Sequence, residues 1–177
     1  VYSRDRADNW KSFRTPCSPI PGVSPLVFHP TRKSYLIWIG QTGCDNQYSK
    51  ACRTAAFISR SYGKRWRKLQ ENVAKCEFAN QLGRHVDPNL VLCLKQSNEA
   101  TKHRSNLVSS TSDFLDETKI LLRQVIDFVS KDGFLVAATA NEQDKLQLHV
   151  SKDGLTWRDA LFPENLRVNK QQAYTIL

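Results

Sequence analysis

Residues that could do catalytic or metal chemistry are spread along this chain without forming a recognisable set. The four histidines fall in unrelated places, so no Ser/His/Asp or Cys/His combination can be assembled around them. No two cysteines have the Cys-x-x-Cys spacing of a zinc site, and we expect neither a metal nor a cofactor. His29 and His149 lie in or beside strand-like runs, where we expect them to be packed. The histidines are His29, His85, His103 and His149.

The five cysteines suggest disulfide chemistry instead. Cys44 and Cys52 bracket a polar loop after an apolar, strand-like run, and Cys76 and Cys93 lie in two neighbouring strand-like runs. Both pairs could form disulfides if the chain folds in an oxidising compartment. Cys17 would then be a free thiol, or its partner would lie outside this chain. The alternative is a cytosolic protein with five reduced cysteines.

A pattern of the form Ser-x-Asp-x-Gly-x-Thr-Trp recurs and indicates how the chain is built. Asp153 and Gly154 in its clearest copy favour a tight turn between two strands. Two variants replace the glycine by Ala7 or the aspartate by Ser61. The chemistry is structural, because the serine, aspartate and glycine fix a turn and the tryptophan packs between strands. The residues assigned to these turns are Ser3, Asp5, Trp10, Ser59, Gly63, Trp66, Ser151, Asp153, Gly154, Thr156 and Trp157.

The intervals between these turns give the size of the repeat. From Ser3 to Ser59 is 56 residues, and from Ser59 to Ser151 is 92, or two steps of 46, so a degenerate copy is expected over 109–114. Four strand-like runs per repeat of roughly 40–50 residues are the signature of a β-propeller blade. The sequence therefore predicts an all-β fold of four-stranded antiparallel blades.

The predicted blades divide the chain at four places. Residues 1–15 end one blade, a proline-rich connector at 16–25 opens a blade over 16–71, two blades follow over 72–123 and 124–162, and 163–177 begin the next. Three whole blades cannot close a ring, and the chain has no methionine, so we expect a segment of a larger protein. The run Lys119–Arg123 could instead be helical. The predicted strands are Trp10–Phe13, Leu26–Phe28, Tyr35–Ile39, Ala55–Ser59, Trp66–Leu69, Val73–Phe78, Leu90–Leu94, Asn106–Ser109, Lys119–Leu122, Val125–Val129, Phe134–Thr139, Leu146–Ser151 and Thr156–Leu161.

Several stretches, in this order and spacing, resemble the sortilin family of sorting receptors and are especially similar to its fungal vacuolar members. The resemblance implies about three blades of a ten-bladed propeller in the lumen of the Golgi or endosome, and possible extracellular exposure. It also implies the disulfides Cys44–Cys52 and Cys76–Cys93. The similar stretches are Leu26-Val27-Phe28-His29-Pro30, Tyr35-Leu36-Ile37-Trp38-Ile39-Gly40, Ala56-Phe57-Ile58-Ser59, Lys75-Cys76-Glu77-Phe78, Val125-Ile126-Asp127-Phe128-Val129, Phe134-Leu135-Val136-Ala137-Ala138-Thr139 and Gln172-Ala173-Tyr174-Thr175-Ile176-Leu177.

The function implied by the resemblance is that of a single-pass membrane receptor whose membrane span lies outside this chain. Its cargo would be soluble vacuolar hydrolases such as carboxypeptidase Y, bound as proteins or peptides on the inner strands. The position that holds a carboxylate-binding arginine in the family falls here on Lys145 or Leu146, so strong recognition of a peptide's C-terminal carboxylate is not expected. Simple packing is the alternative role of the aliphatic residues. The implied ligand-binding residues are Val136, Ala138, Lys145, Leu146, Tyr174 and Ile176.

The alternative function is a glycan-binding module or a sialidase-like glycoside hydrolase that shares the same turns. Residues Phe13-Arg14-Thr15-Pro16 are similar to a sialidase motif but follow a turn, where the motif should precede one. Without paired carboxylates at successive strand ends, we expect no enzyme. The net charge of +9 permits acidic partners, yet we expect the basic run Lys64–Lys68 to be a solvated hairpin arm and expect no nucleic acid to bind.

Overall fold

A computed structural model describes residues 3, 6–12, 14–44, 52–83, 85–96, 105–116, 118–141 and 145–160. All strand pairs in this part of the chain are antiparallel, and its only helical element is a 3-10 turn over Ala79–Leu82. The predicted all-β class is confirmed. Among these same residues, none forms a helix with the length and apolar character needed to cross a bilayer. The chain divides into two compact units, Val1–Glu71 and Asn72–Leu177.

The first unit is one five-stranded antiparallel sheet, in which two short strands share the same neighbour. Strand β3 (Leu36–Thr42) pairs with β2 (Leu26–Phe28) at one end and with the short β1 (Ser18–Pro19) at the other. Leu26 lies opposite Trp38, and Ser18 lies opposite Gln41. Strand β3 pairs in turn with β4, and β4 with β5. The strands are β1 (Ser18–Pro19), β2 (Leu26–Phe28), β3 (Leu36–Thr42), β4 (Arg53–Ser59) and β5 (Arg67–Glu71).

The second unit is a seven-stranded sheet whose strands are also neighbours in chain order. Its long central strand, β9 (Lys119–Lys131), pairs with two different strands. Residues 119–125 lie along β8 (Ser105–Ser110), and residues 125–131 lie along β10 (Phe134–Ala140). The sheet therefore contains two groups of four strands that share one strand. The strands are β6 (Val73–Phe78), β7 (Val91–Gln96), β8 (Ser105–Ser110), β9 (Lys119–Lys131), β10 (Phe134–Ala140), β11 (Leu146–Ser151) and β12 (Arg158–Asp159).

A left-handed residue lies between consecutive groups of four strands. Asn72, with a φ of 56°, separates β5 from β6, and Gln124, with a φ of 57°, interrupts β9 where its pairing passes from β8 to β10. A residue other than glycine adopts this conformation at an energetic cost, so it marks a sharp local change of strand direction. The blade limits at 71/72 and 123/124 stay a prediction.

The core of the second unit lies between its two groups of strands. Leu92 and Leu94 of β7 belong to the same cluster of buried side chains as Phe128 of β9 and Leu135 of β10. Leu92 and Leu94 are alternate residues of β7, and Leu135 and Ala137 are alternate residues of β10, so each of these strands presents one face to the cluster. Burial of each such side chain contributes about 2 kcal/mol, so the cluster is a main source of stability for this unit.

Several details differ from the sequence prediction, among them the continuity of β9, which joins the predicted strands Lys119–Leu122 and Val125–Val129. Trp10–Phe13 is not a strand, since Lys11 is only an isolated bridge and Phe13 lies outside the described residues. The 16–25 segment was predicted to be a connector, but it contains β1. The helical alternative for Lys119–Arg123 is wrong, because these residues begin β9. Strand β12 is shorter than predicted, and Leu161 lies outside the described residues.

Candidate functional site

Four serines organise equivalent turns. In each turn the serine Oγ accepts a hydrogen bond from the backbone N–H of a residue three or four positions later, and that residue has a positive φ. The turn at Ser110 is the degenerate copy, and it shows that the serine is retained where the aspartate and glycine are not. The pairs, with N···Oγ distances, are Ala7 to Ser3 at 2.8 Å, Gly63 to Ser59 at 2.9 Å, Phe114 to Ser110 at 2.9 Å and Gly154 to Ser151 at 2.9 Å.

The turn at Ser151 contains the most complete hydrogen-bond network. The carboxylate of Asp153 accepts hydrogen bonds from Ser151 Oγ at 3.0 Å, from Leu155 N at 2.8 Å and from Thr156 N at 2.7 Å. Burial raises the pKa of Asp153, but the hydrogen bonds from Thr156, Leu155 and Ser151 outweigh burial and lower the pKa to about 2. The carboxylate is thus committed to holding the turn. Asp5, its counterpart in the first turn, lies outside the described residues.

The three tryptophans assigned to these turns have different environments. Trp157 packs against the core cluster of the second unit. Trp66 donates a hydrogen bond from Nε1 to the carbonyl of Arg14 at 2.9 Å and meets Trp38 edge-on, with 6.5 Å between ring centroids. Trp10 is 61% exposed among the described residues, and its packing between strands stays a prediction.

The implied ligand-binding residues of β10 lie on one face of the sheet. Val136 is opposite Val129 of β9 and Val150 of β11, and Ala138 is opposite Leu148 of β11. This face of β10 points away from the core cluster. The alternate residues of the strand, Leu135 and Ala137, belong to that cluster. Val136 is half-buried and Ala138 is buried. Val129, Val136, Ala138, Leu148 and Val150 make this face largely apolar, and Asp127, opposite Ala138, adds one carboxylate to it.

The loop before β11 positions Lys145 and Leu146. Asn141 closes this loop, because its side-chain oxygen accepts the backbone N–H of Lys145 at 2.9 Å and its N–H donates to the Lys145 carbonyl at 3.0 Å. Lys145 is exposed, whereas Leu146 is half-buried opposite Ala140. Only the lysine could therefore meet an anionic group. Tyr174 and Ile176, the remaining two implied residues, lie outside the described residues.

The register of the turns shows which residues of the preceding group correspond to these positions. Ser110 lies opposite Val91, and Ser151 lies opposite Leu135. Counting from the turn serine, Leu92 therefore corresponds to Val136 and Leu94 to Ala138. Leu92 and Leu94 are fully enclosed by the core cluster between the two groups of strands. The face of β10 that carries Val136 and Ala138 could therefore pack against another group of strands as well as contact a ligand.

A charged cluster on the first strands of the two groups is not evident from the sequence. Lys75 of β6 places Nζ 3.3 Å from an oxygen of Asp127 in β9 and 3.3 Å from one of Glu77. The same Nζ donates to the Phe128 carbonyl and lies 4.9 Å from the centroid of that ring. All three charged side chains are half-buried. Lys75 lies opposite Leu94, and Asp127 lies opposite Ala138, so the two residues also correspond by register. The cluster ties the two strands together.

The cysteines form two disulfides, Cys44–Cys52 and Cys76–Cys93. These are the pairs that the resemblance implies. Cys76 and Cys93 lie directly opposite each other on β6 and β7 and are fully buried. Cys17 is free and half-buried, and burial raises its pKa, an effect that the nearby Trp38 indole partly offsets.

Two of the described histidines, His29 and His149, serve the fold. Buried His29 accepts hydrogen bonds at Nδ1 from the backbone N–H groups of Thr31 and Arg32. His149 joins three strands, with Nε2 2.9 Å from Thr139 Oγ1 in β10 and Nδ1 2.8 Å from Asp159 Oδ1 in β12. Among the described residues no group of three His, Cys, Asp or Glu side chains could hold a metal ion.

Comparison with known proteins identifies the class to which this arrangement belongs. The family model described as sortilin, neurotensin receptor 3, matches residues 1–177, and this chain belongs to the Sortilin-Vps10 family. Its members are sorting receptors and not enzymes, so the glycoside-hydrolase alternative is set aside.

Curated relatives carry the name vacuolar protein sorting/targeting protein 10. The chain is 34% identical over 179 residues to that of Paracoccidioides lutzii, which covers 99% of this chain and 12% of the relative. It is 37% identical over 183 residues to that of Colletotrichum graminicola, which covers 100% of this chain and 12% of the relative. The chain thus spans 12% of the length of these relatives.

Proposed function

We propose that this chain forms about three blades of a larger, ten-bladed β-propeller. The support is the repeated geometry: strands β2–β5, β6–β9 and β9–β12 each form a four-stranded antiparallel group. Each group carries one serine turn between its third and fourth strands, at Ser59, Ser110 and Ser151. Packing of one group against the next in the second unit is the contact that blades make around a ring.

The function that fits this family best is that of the luminal, ligand-binding part of a sorting receptor. The protein would carry soluble hydrolases from the Golgi to the endosome or vacuole and would be tethered to the membrane by a part outside this chain. The observation that carries this proposal is the family match over 1–177, together with relatives named for vacuolar protein sorting. The two disulfides agree with an oxidising lumen.

Cargo would bind on the inner strands, near Val136, Ala138 and the exposed Lys145, with Leu146, Tyr174 and Ile176 completing the wall. In this arrangement Lys145 attracts an acidic group of the cargo as a point charge, because a lysine lacks the two-pronged geometry of arginine. The competing role for the aliphatic residues is packing against a following blade, as Leu92 and Leu94 do in the second unit. Lys145 distinguishes the two roles, since an exposed lysine contributes nothing to packing.

The test is a binding measurement with the full-length polypeptide and purified vacuolar hydrolase. Lys145→Glu should weaken binding about five- to tenfold, whereas Lys131→Glu, an equal charge change at an exposed end of β9, should have little effect. In cells, loss of the polypeptide should cause the hydrolase to be secreted. Retention of the hydrolase without the polypeptide would refute the receptor function, and equal binding by both variants would refute the proposed wall.

A further inference from the structure

We propose that a cleft between the serine turns at Ser110 and Ser151 binds a short zwitterionic peptide. Lys119 holds the carboxylate end of this peptide, and Asp116 holds its ammonium end. The cleft lies within the second unit and shares no residue with the proposed cargo wall near Val136. The proposal goes beyond the sorting-receptor function and does not rest on it.

Two leucines and a buried serine form the base of the cleft. Leu90, which precedes β7, and Ser109, in β8, are 1% and 2% exposed, and both line the cleft. Leu155, which is 42% exposed, lines it from the turn at Ser151. The leucines offer contact to aliphatic side chains, and the serine hydroxyl can donate to or accept from a peptide group. The cleft has a volume of about 330 Å³, within the range of about 300–1,000 Å³ that is common for small-ligand sites.

Two charged side chains of opposite sign line the same cleft. Asp116 follows the turn at Ser110, and Lys119 begins β9, where it lies opposite Ser109. Both side chains are exposed, and within the described part of the chain neither has an ion-pair partner at 4.0 Å or closer. Because they do not pair with each other, each is available to a ligand group of the opposite charge. A short peptide carries one such group at each end.

The two walls of the cleft are fixed before any ligand binds. On one side, Ser112 Oγ accepts the backbone N–H of Asp116 at 3.5 Å, and the N–H of Ser112 donates to Ser110 Oγ at 3.1 Å. On the other side, the backbone N–H of Leu155 donates to the Asp153 carboxylate at 2.8 Å. A preorganised site loses little entropy when it binds its ligand.

The experiment measures binding of the dipeptide Leu-Leu to the full-length polypeptide by saturation-transfer difference NMR. Lys119→Gln and Asp116→Asn should each weaken binding about three- to fivefold, as expected when one exposed ion pair is lost. The matched controls are Lys131→Gln and Asp132→Asn, which make the same charge changes at the other end of β9 and should alter affinity less than about twofold. The dipeptide Gly-Gly should bind the unaltered protein more weakly, because it leaves the two leucines uncovered.

Capping the peptide assigns each of its charges to one residue. N-acetyl-Leu-Leu lacks the ammonium group, so Asp116→Asn should no longer affect its binding, whereas Lys119→Gln should still weaken it. The C-terminal amide of Leu-Leu lacks the carboxylate and should give the opposite result. This crossed pattern distinguishes direct contact from a change in folding, which would affect all three ligands alike.

Any of three results would overturn the proposal. One is the absence of Leu-Leu binding by the unaltered protein, and another is an equal loss of affinity in the site variants and their controls. The third is binding of methyl α-mannoside in place of the dipeptide, with the same dependence on Lys119. Hydrolase binding by the Lys145→Glu variant is measured separately, so failure of the peptide cleft is distinguishable from failure of the receptor function.

Discussion

Ser151→Ala is the sharpest test of the serine turns. The hydroxyl donates to Asp153 at 3.0 Å and accepts from Gly154 N at 2.9 Å, and Ser151 is only 2% exposed. The substitution removes a hydrogen bond to a charged group and leaves a buried N–H without its acceptor. These losses together should destabilise the protein by about 2–3 kcal/mol. For a chain of this size that corresponds to a melting temperature lowered by roughly 5–10 °C.

The assay combines urea unfolding, followed by tryptophan fluorescence, with hydrogen exchange at the Gly154 amide. The amide should exchange faster in Ser151→Ala, because its protecting acceptor is gone. Ser59→Ala should cost less, about 1–2 kcal/mol, since the Ser59 hydroxyl accepts from Gly63 N without a neighbouring carboxylate. Thr111→Ala removes an exposed hydroxyl from the third turn and is the control. A loss below about 0.5 kcal/mol in Ser151→Ala, or an equal loss in Thr111→Ala, would refute a structural role for the turn serines.

Two further substitutions test single contacts. Folding lowers the pKa of Asp153 from 3.8 to about 2. Its carboxylate therefore stabilises the fold above pH 3.8, and this stabilisation is lost as the pH falls to about 2. Asp153→Asn should remove this part of the dependence of stability on pH. Urea midpoints across that range measure it, and an unchanged slope would contradict the reasoning. Gly40→Ala should detach β1 and expose the Cys17 thiol to Ellman's reagent, since its new Cβ would lie 2.3 Å from the Ser18 carbonyl and 2.6 Å from Cys17 Sγ. Gly22→Ala, which meets nothing within 4 Å, should leave the thiol's reactivity unchanged, and equal reactivity in the two variants would argue against the steric cause.

The strands were largely predictable because they obey local rules. Alternation between turns places β2, β6 and β11 at the predicted residues, and the tight turn chemistry marks where β11 ends. Strand β1 was missed because two residues ending in Pro19 carry no alternation. Proline is tolerated there, since β1 lies at the edge of the sheet. The continuity of β9 was missed because Gln124 has no sequence signal for its left-handed conformation.

The charged clusters were not predictable because their members come together only through strand pairing. Arg32 and Arg60 are brought to the same tyrosine, Tyr35, by the register of β3 with β4. Lys75 and Asp127 meet because β6 and β9 are the first strands of groups that pack together. Neither pair has a spacing that a single helix, strand or turn would explain. Contacts of this kind depend on tertiary structure, which local sequence patterns do not specify.

The turn serines also bear on where the proposed cargo could bind. In each group the turn serine lies opposite a fixed position of the second strand, Val91 for Ser110 and Leu135 for Ser151. If this register is kept from group to group, Val136 and Ala138 occupy the positions at which Leu92 and Leu94 pack against the neighbouring group. A following blade would then cover the central part of this face. The end of β10 and the start of β11 would then stay accessible, and there Asn141 holds the exposed Lys145 in place. Lys145 should therefore affect cargo affinity, whereas Ala138→Leu should affect stability, because an added isobutyl group overpacks a closed interface by about 1–3 kcal/mol. A large loss of affinity in a fully stable Ala138→Leu variant would show instead that the face is open and binds ligand directly.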